Sequence, residues 1–212
     1  MAGRIVIDIF TTLDGVAQAP GGPEEDPSDG FPFGGWQAPF ADHSGGEQII
    51  AGIQAMDALL LGRRTYDIFA AYWPGQLDQE HDNVIAAVFD RIPKYVASRG
   101  TPTLDWVGST QLGPDLETEI GMLRDRHENV HVIGSIDFAH SLLDAGLFDE
   151  LNLWVYPVVL GRGKRVFPEG SAPQTLRLVE SAFTSETGAV RLRYAPAGPV
   201  RTGDMGAEDR GM

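Results

Sequence analysis

Val130-His-Val-Ile-Gly-Ser-Ile136, followed by Leu147-Phe-Asp-Glu-Leu151 and Gly161-Arg-Gly-Lys-Arg-Val-Phe167, decides the fold class. The segment reads as a strand, a Gly-Ser turn, a helix, and then a long apolar strand closed by a Gly-x-Gly loop. Such a turn sets bare backbone and the positive end of a helix at the edge of a sheet, where unpaired N–H groups and the helix dipole both favour phosphate. The segment points to a nucleotide ligand at Gly134 and Ser135.

Outward from that turn, strand and helix patterns alternate toward the N-terminus. Arg4 to Phe10 predicts an opening strand stopped by Thr12-Leu-Asp-Gly15. Residues 17–47 are rich in Gly, Pro and acids, with Phe31, Phe33, Trp36 and Phe40 embedded, and suggest a flap or lid. Helices are predicted over 46–56, from 63 to near Trp73-Pro74, over 79–91 and over 115–126. Strands are predicted over 58–62, 94–98 and 104–107. The C-terminal third changes to strands alone, at 151–160, 176–183 and 190–194. Alternation followed by strands alone implies an α/β domain with a mainly parallel sheet and antiparallel C-terminal strands. Residues 1–196 are expected to form that domain. Residues 197–212, nearly free of apolar side chains, are expected to be a disordered tail. Trp154 and Tyr156 alternate on one strand and are expected to face a partner subunit in preference to a substrate.

Composition narrows the function. The 212 residues suit one domain, and 42% hydrophobic with 22% charged residues is an ordinary globular balance. A net charge of −14 excludes a general nucleic-acid surface. It leaves room for a phosphorylated ligand, because charges beyond about 10 Å are screened. Absence of cysteine excludes disulfides and thiolate chemistry and suits a cytoplasmic protein. No signal-like segment or membrane-length apolar run is present, which fits a soluble protein.

Two further strand ends repeat the phosphate theme. Leu59-Leu-Leu-Gly-Arg-Arg-Thr-Tyr66 ends a buried strand at Gly62 and opens a helix with Arg63, Arg64 and Thr65. Cations are disfavoured at a helix N-terminus unless an anion is present, and guanidinium suits phosphate, which favours a ligand over the plainer reading of a helix that begins with exposed arginines. Ser98 and Arg99 leave the carboxyl edge of the next strand, where open α/β sheets bind ligands, and read alone either as a ligand contact or as a surface turn. Asp14 follows the first strand at the same edge and reads either as a site acid or as the maker of an Asp-Gly turn. His131 inside a strand and His140 inside a helix read as structural. His43 and His81 are expected at the surface, and His127 near a helix end. No histidine spacing supports a metal site.

The ordered set Thr12-Leu-Asp-Gly15, Leu60-Leu-Gly-Arg-Arg-Thr-Tyr66, Tyr95-Val-Ala-Ser98, Val132-Ile-Gly-Ser135, Gly146-Leu-Phe-Asp-Glu-Leu151 and Pro157-Val-Val-Leu-Gly-Arg-Gly-Lys-Arg-Val-Phe167 resembles the dihydrofolate reductase-like family. Its branch is the one related to the reductase domain of the bifunctional riboflavin-biosynthesis deaminase-reductase. The resemblance implies a three-layer α/β/α fold, a homodimer, NADPH as cofactor, and hydride transfer to a pteridine-like or ribosylaminopyrimidine-like molecule. By position it implies that Arg63, Arg64 and Thr65 hold phosphates, with Ser98 and Arg99 near the adenosine 2′-phosphate. Gly134, Ser135 and Ile136 would follow the pyrophosphate and ribose. Leu13, Asp14 and Gly15 would border nicotinamide and substrate. Gly134-Ser135 departs from the Gly-Gly of many relatives. The folate reductases' Trp-x-x-Pro-x-acid pattern is approached by Trp36-Gln-Ala-Pro-Phe-Ala-Asp42, one residue too long. It makes Trp36 and Asp42 candidate substrate residues, with Glu47 as the alternative acid, against a plainer reading as a solvated loop. The zinc deaminase partner domain is absent from this sequence. The competing function is a nucleotide- or flavin-binding protein of the same fold without reductase turnover; another is a structural dimer that has lost the site.

Overall fold

The computed structural model of the chain describes residues 2–77 and 83–205. Among these, nine strands form one sheet: β1 (Arg4–Thr12), β2 (Ala58–Gly62), β3 (Lys94–Ala97), β4 (Ser109–Gln111), β5 (Asn129–Ile133), β6 (Glu150–Tyr156), β7 (Leu176–Leu178), β8 (Phe183–Thr184) and β9 (Val190–Pro196). The order is β4-β3-β2-β5-β1-β6-β9-β7, with β8 also on β9. The first six are parallel, and β9 runs antiparallel to β6, β7 and β8. Among the described residues are five α-helices, α1 (His43–Ala55), α2 (Arg63–Tyr72), α3 (Val84–Arg91), α4 (Leu116–Arg126) and α5 (Ile136–Asp144), and three short 3-10 turns.

Period-two burial sorts the strands into two faces. Ile5, Ile7 and Ile9 of β1 pack with Val130, Val132 and Leu151 against Ile120 and Leu123 of α4 and Phe138, Leu142 and Leu143 of α5. Leu59, Leu61 and Val96 pack on the other side with Ile53 of α1, Tyr66 of α2, and Val88 and Phe89 of α3. The result is the expected three-layer α/β/α architecture.

Several boundaries differ from the sequence reading. No strand forms at 104–107: Leu104 and Trp106 turn into the α1–α3 core, and the Trp106 backbone N–H donates to the Tyr66 hydroxyl at 3.0 Å. Strand β4 follows at Ser109–Gln111 instead. Strand β6 ends at Tyr156, before Pro157, which cannot donate to a ladder. The 176–183 run divides into β7 and β8. Residues 79–82 of the expected 79–91 helix, and His81, lie outside the described residues; so does 206–212. The chain remains paired beyond residue 196: Ala197 N–H donates to Thr175 O, Thr175 N–H to Gly198 O, and the Thr175 hydroxyl to Pro199 O.

The aromatic strand finds its cover within the chain. Trp154 and Tyr156 are buried, packed with Phe31, Trp36 and Phe40 of the 17–47 region and with Phe10, Val16 and Phe183. Tyr156 meets Trp36 and Phe40 edge-on at 5.6 and 6.0 Å, so the expectation that these rings face a partner is corrected. The segment is tied down by Gln18, whose amide donates to the backbone oxygens of Asp26 and Ser28 and accepts from Lys164 N–H.

A candidate dinucleotide and substrate cleft

Three helices begin at side-chain caps: Asp42 accepts from Gly45 N–H at the start of α1, Asn83 from Ala86 N–H at α3, and Asp115 from Thr118 N–H at α4. The other two do not. Gly62 before α2 has no side chain, and Ser135 before α5 turns its hydroxyl away to accept the Gly62 N–H at 3.0 Å. Among the described residues both helix N-termini therefore keep donors uncapped, side by side, in one cleft of about 1400 Å³.

Local geometry explains the residues at this junction. Gly134 and Ser135 adopt φ of 60° and 52°, a left-handed pair that turns the chain from β5 into α5. Gly62 is extended, and its glycine identity has another cause. A Cβ there would stand 3.0 Å from Phe138 Cβ and 3.6 Å from Ser135 Cβ. The missing side chain lets the β2–α2 and β5–α5 turns touch.

The cleft is lined by Gly62, Arg63, Arg64 and Thr65, by Ser98 and Arg99, and by Gly134, Ser135 and Ile136. The structure thus brings nine of the predicted cofactor residues together. Arg63 Nε is engaged by Asp67 at 2.7 and 2.9 Å, one helical turn on. Arg64 stands 3.8 Å from Asp26. Arg99 is exposed and without an ion-pair partner among the described residues, the arrangement expected of a cation awaiting an anion. Asp26 also binds Lys164, another residue of the cleft wall. Burial raises the Asp26 carboxyl, but hydrogen bonds from Lys164 and Ser28 and the lysine charge outweigh it and hold it below its ordinary value.

Leu13, Asp14, Gly15, Trp36 and Asp42 are not among the lining residues. Asp14 clamps two loops: it accepts from the Thr12 hydroxyl at 2.6 Å, Leu160 N–H at 3.2 Å and Gly161 N–H at 2.8 Å, with Arg165 at 3.6 Å. Burial pushes its carboxyl up, and the Thr12, Gly161 and Leu160 donors overcome this, leaving it below the usual value. A fixed anion in that setting is suited to anchoring a loop. Trp36 is sealed, donating Nε1–H to Gln18 O at 2.8 Å. Asp42 is spent on capping α1 and on Thr187, whose N–H and hydroxyl it accepts; those donors hold its carboxyl well below the usual range. Among the described residues no cluster of His, Cys, Asp or Glu could hold a metal. No described helix is long and apolar enough to cross a membrane.

The half of the cleft beyond Gly134 was not legible as a site in the sequence. Its floor is the α1-facing side of the sheet, with Asp8 and Phe10 of β1, His131 of β5, Asn152 and Trp154 of β6, and Arg191 of β9; Ile49, Gly52 and Ile53 of α1 form the opposite wall. Phe10 and Trp154 stack at 6.3 Å, and Arg191 lies over the Trp154 ring at 5.7 Å. A signal existed: Asp8, His131 and Asn152 each interrupt an apolar run, in Ile7-Asp-Ile9, Val130-His-Val132 and Leu151-Asn-Leu153.

Known proteins with similar chains support the same architecture. The chain is 25% identical over 196 residues to the uncharacterized protein YyaP of Bacillus subtilis, covering 90% of this chain and 94% of that one. A putative riboflavin biosynthesis protein from Shewanella superposes with a TM-score of 0.64 at 17% identity, over 92% of this chain and 99% of that one. The diaminohydroxyphosphoribosylaminopyrimidine deaminase/5-amino-6-(5-phosphoribosylamino)uracil reductase of Thermotoga maritima superposes with a TM-score of 0.59 at 14% identity, over 92% of this chain and 57% of that one. At these identities the two structures establish the shared fold. Residues 4–189 match the RibD C-terminal domain, and the chain belongs to that family.

Proposed function

We propose that the protein is an NADPH-dependent reductase that transfers hydride to a pteridine-like or ribosylaminopyrimidine-like small molecule. The observation that carries this reading is the junction of two uncapped helix N-termini at Gly62 and Ser135, opening into a cleft whose other half is floored by Phe10 and Trp154. The residues fit a dinucleotide phosphate chain: free N–H groups at α2 and α5 supply donors, and Arg63, Arg64 and Thr65 stand beside them. Arg99, next to Ser98 and without an ion pair among the described residues, suits an adenosine 2′-phosphate.

The bound dinucleotide would supply hydride; the protein binds, orients and excludes water. Ser135 fixes the turn by accepting the Gly62 N–H, so the phosphate donors of both helices are held in register before binding. Phe10, Trp154 and Ile49 offer apolar surface on which a flat heterocycle can lie. The 17–47 segment supports a lid role through Ala19, Pro20 and Glu25 at the cleft edge. A homodimer, which rests on the family resemblance, and a cytoplasmic location, which the absence of cysteine suits, belong to the same proposal; light scattering tests the first.

Fluorescence titration with NADPH and NADH tests the reading. Binding should be micromolar or tighter, and Arg63→Ala with Arg64→Ala should weaken it about tenfold or more, since charge-assisted bonds contribute ~1.5–3 kcal/mol each. Arg99→Ala should weaken NADPH and spare NADH. No binding refutes the reductase. Binding without NADPH oxidation across dihydropteridine and ribosylaminopyrimidine substrates favours a nucleotide-binding protein without turnover.

A further inference from the structure

Three polar side chains stand in a row across the middle of the sheet, on neighbouring strands β5, β1 and β6. His131 Nδ1 lies 2.6 Å from Asp8 Oδ2, and Asn152 Nδ2 donates to Asp8 Oδ1 at 2.8 Å. His131 and Asn152 are 7% and 8% exposed, and all three line the cleft. Burying such groups among isoleucines and valines is unfavourable unless hydrogen bonds repay it. A purely structural row would close on itself. This one does not: His131 Nε2 has no partner among the described residues, and it is not one of the unpartnered atoms sealed from solvent. Asn152 Oδ1 is sealed and also unpartnered.

Deepening the reductase reading, on which it rests, we infer that His131 is the proton donor of the reaction and that Asp8 and Asn152 are the residues that position it. The Asp8 carboxylate accepts from His131 Nδ1–H, which fixes the ring and leaves Nε2 toward the cleft. Asn152 occupies the other carboxylate oxygen and stops Asp8 from rotating away. Two residues along the same strands, the stacked Phe10 and Trp154 supply the surface for a ring. The arrangement fits a planar nitrogen heterocycle with a C=N bond or a conjugated C=O bond, its heteroatom at Nε2. Bound dihydronicotinamide would supply the hydride for the new C–H bond as the π bond breaks. The electron pair left on the heteroatom takes the Nε2 proton of the imidazolium form of His131, whose Nδ1–H stays on Asp8, and the neutral imidazole left behind regains its Nε2 proton from solvent. The carbon would be reduced by two electrons and the nicotinamide oxidised by two.

The test uses the full chain, NADPH and a dihydropteridine as the C=N probe. His131→Ala and His131→Gln should keep NADPH affinity within about twofold while the single-turnover rate of NADPH oxidation falls about 100-fold or more, with imidazole added to His131→Ala restoring part of it. Labelled histidine ring nitrogens give a readout independent of turnover. With NADP+ bound, the probe should shift the Nε2 resonance of His131, and Asp8→Asn should change the tautomer seen at Nδ1. Wild-type protein that fails to bind NADPH, or to oxidise it with the probe, refutes the reductase reading and this role together. Turnover that persists undiminished in both His131 variants, or an Nε2 resonance blind to the probe, refutes the His131 role and leaves the reductase standing.

Discussion

Gly62→Ala separates the cofactor geometry from general stability. Gly62 has φ −70° and ψ 153°, which alanine adopts freely, so backbone strain does not enter. The difficulty is space. The new methyl would sit 3.0 Å from Phe138 Cβ, with Ser135 Cβ at 3.6 Å and its hydroxyl at 3.7 Å. Ordinary carbon contacts begin near ~3.5 Å, so α5 must withdraw by roughly half an ångström. Overpacking typically destabilises by ~1–3 kcal/mol, while replacing glycine returns ~0.4–1 kcal/mol by restricting the unfolded chain. The net loss should be about 1 kcal/mol, or a melting temperature lower by roughly 2–4 °C at this chain length. The same withdrawal stretches the Gly62 N–H to Ser135 bond and spreads the two sets of phosphate donors. Losing about half of one charge-assisted bond, ~1 kcal/mol, weakens NADPH roughly fivefold. Differential scanning fluorimetry and fluorescence titration on the same preparations measure both. A melting point that falls while NADPH affinity stays unchanged would show that the two turns do not grip one dinucleotide.

Asp14→Ala should release the 160–165 loop, cost about 1–2 kcal/mol in urea unfolding, and leave NADPH affinity intact. A large fall in turnover with normal stability would instead restore Asp14 as a catalytic acid. Gly134→Ala tests strain rather than space: its Cβ would meet only Thr65 Cγ2, at 3.8 Å, but φ of 60° costs an L-residue ~1–2 kcal/mol. Calorimetry should show that loss without the steric spreading seen for Gly62. Tyr156, pushed up to about 12 by burial, stays neutral in the folded state while the unfolded chain ionises from about pH 10. Its contribution is therefore intact below pH 10 and fades as pH rises toward 12. Denaturant titrations across that range should show a decline of ~2 kcal/mol that is absent in Tyr156→Phe.

Phosphate-compatible groups were legible at Gly62–Thr65, Ser98–Arg99 and Gly134–Ile136 because each lies just past an apolar run, where chain order alone locates the end of a strand. Parallel strands then carry these ends to one edge, so local pattern and tertiary position coincide. Asp14, Trp36 and Asp42 lie away from the cleft lining for the converse reason. Sequence gives residue type and spacing, but what a carboxylate accepts depends on loops far away, Leu160 and Gly161 for Asp14 and Thr187 for Asp42. Trp154 and Tyr156 looked unpartnered because their cover, Trp36 and Phe40, lies more than a hundred residues earlier in a segment without periodicity.

Asp8, His131 and Asn152 illustrate a different limit. Each alone reads as a polar accident in a strand, and the reading changes only when β5, β1 and β6 are known to be neighbours. The register matters as much as the order. Asp8 pairs with Asn152 directly, whereas His131 pairs with Val6 and reaches Asp8 from the adjacent position. A slip of one residue in β5 would send His131 to the opposite face, among Ile120 and Leu142. The apolar residues around it hold that register: Val130 and Val132 are fully buried against α4 and α5, and turning them outward would expose both. Hydrophobic alternation on one face of the sheet thus fixes the placement of the polar row on the other. On that argument Val132→Thr, with no contact to the cleft floor, should lower stability while leaving NADPH affinity unchanged until the strand itself slips.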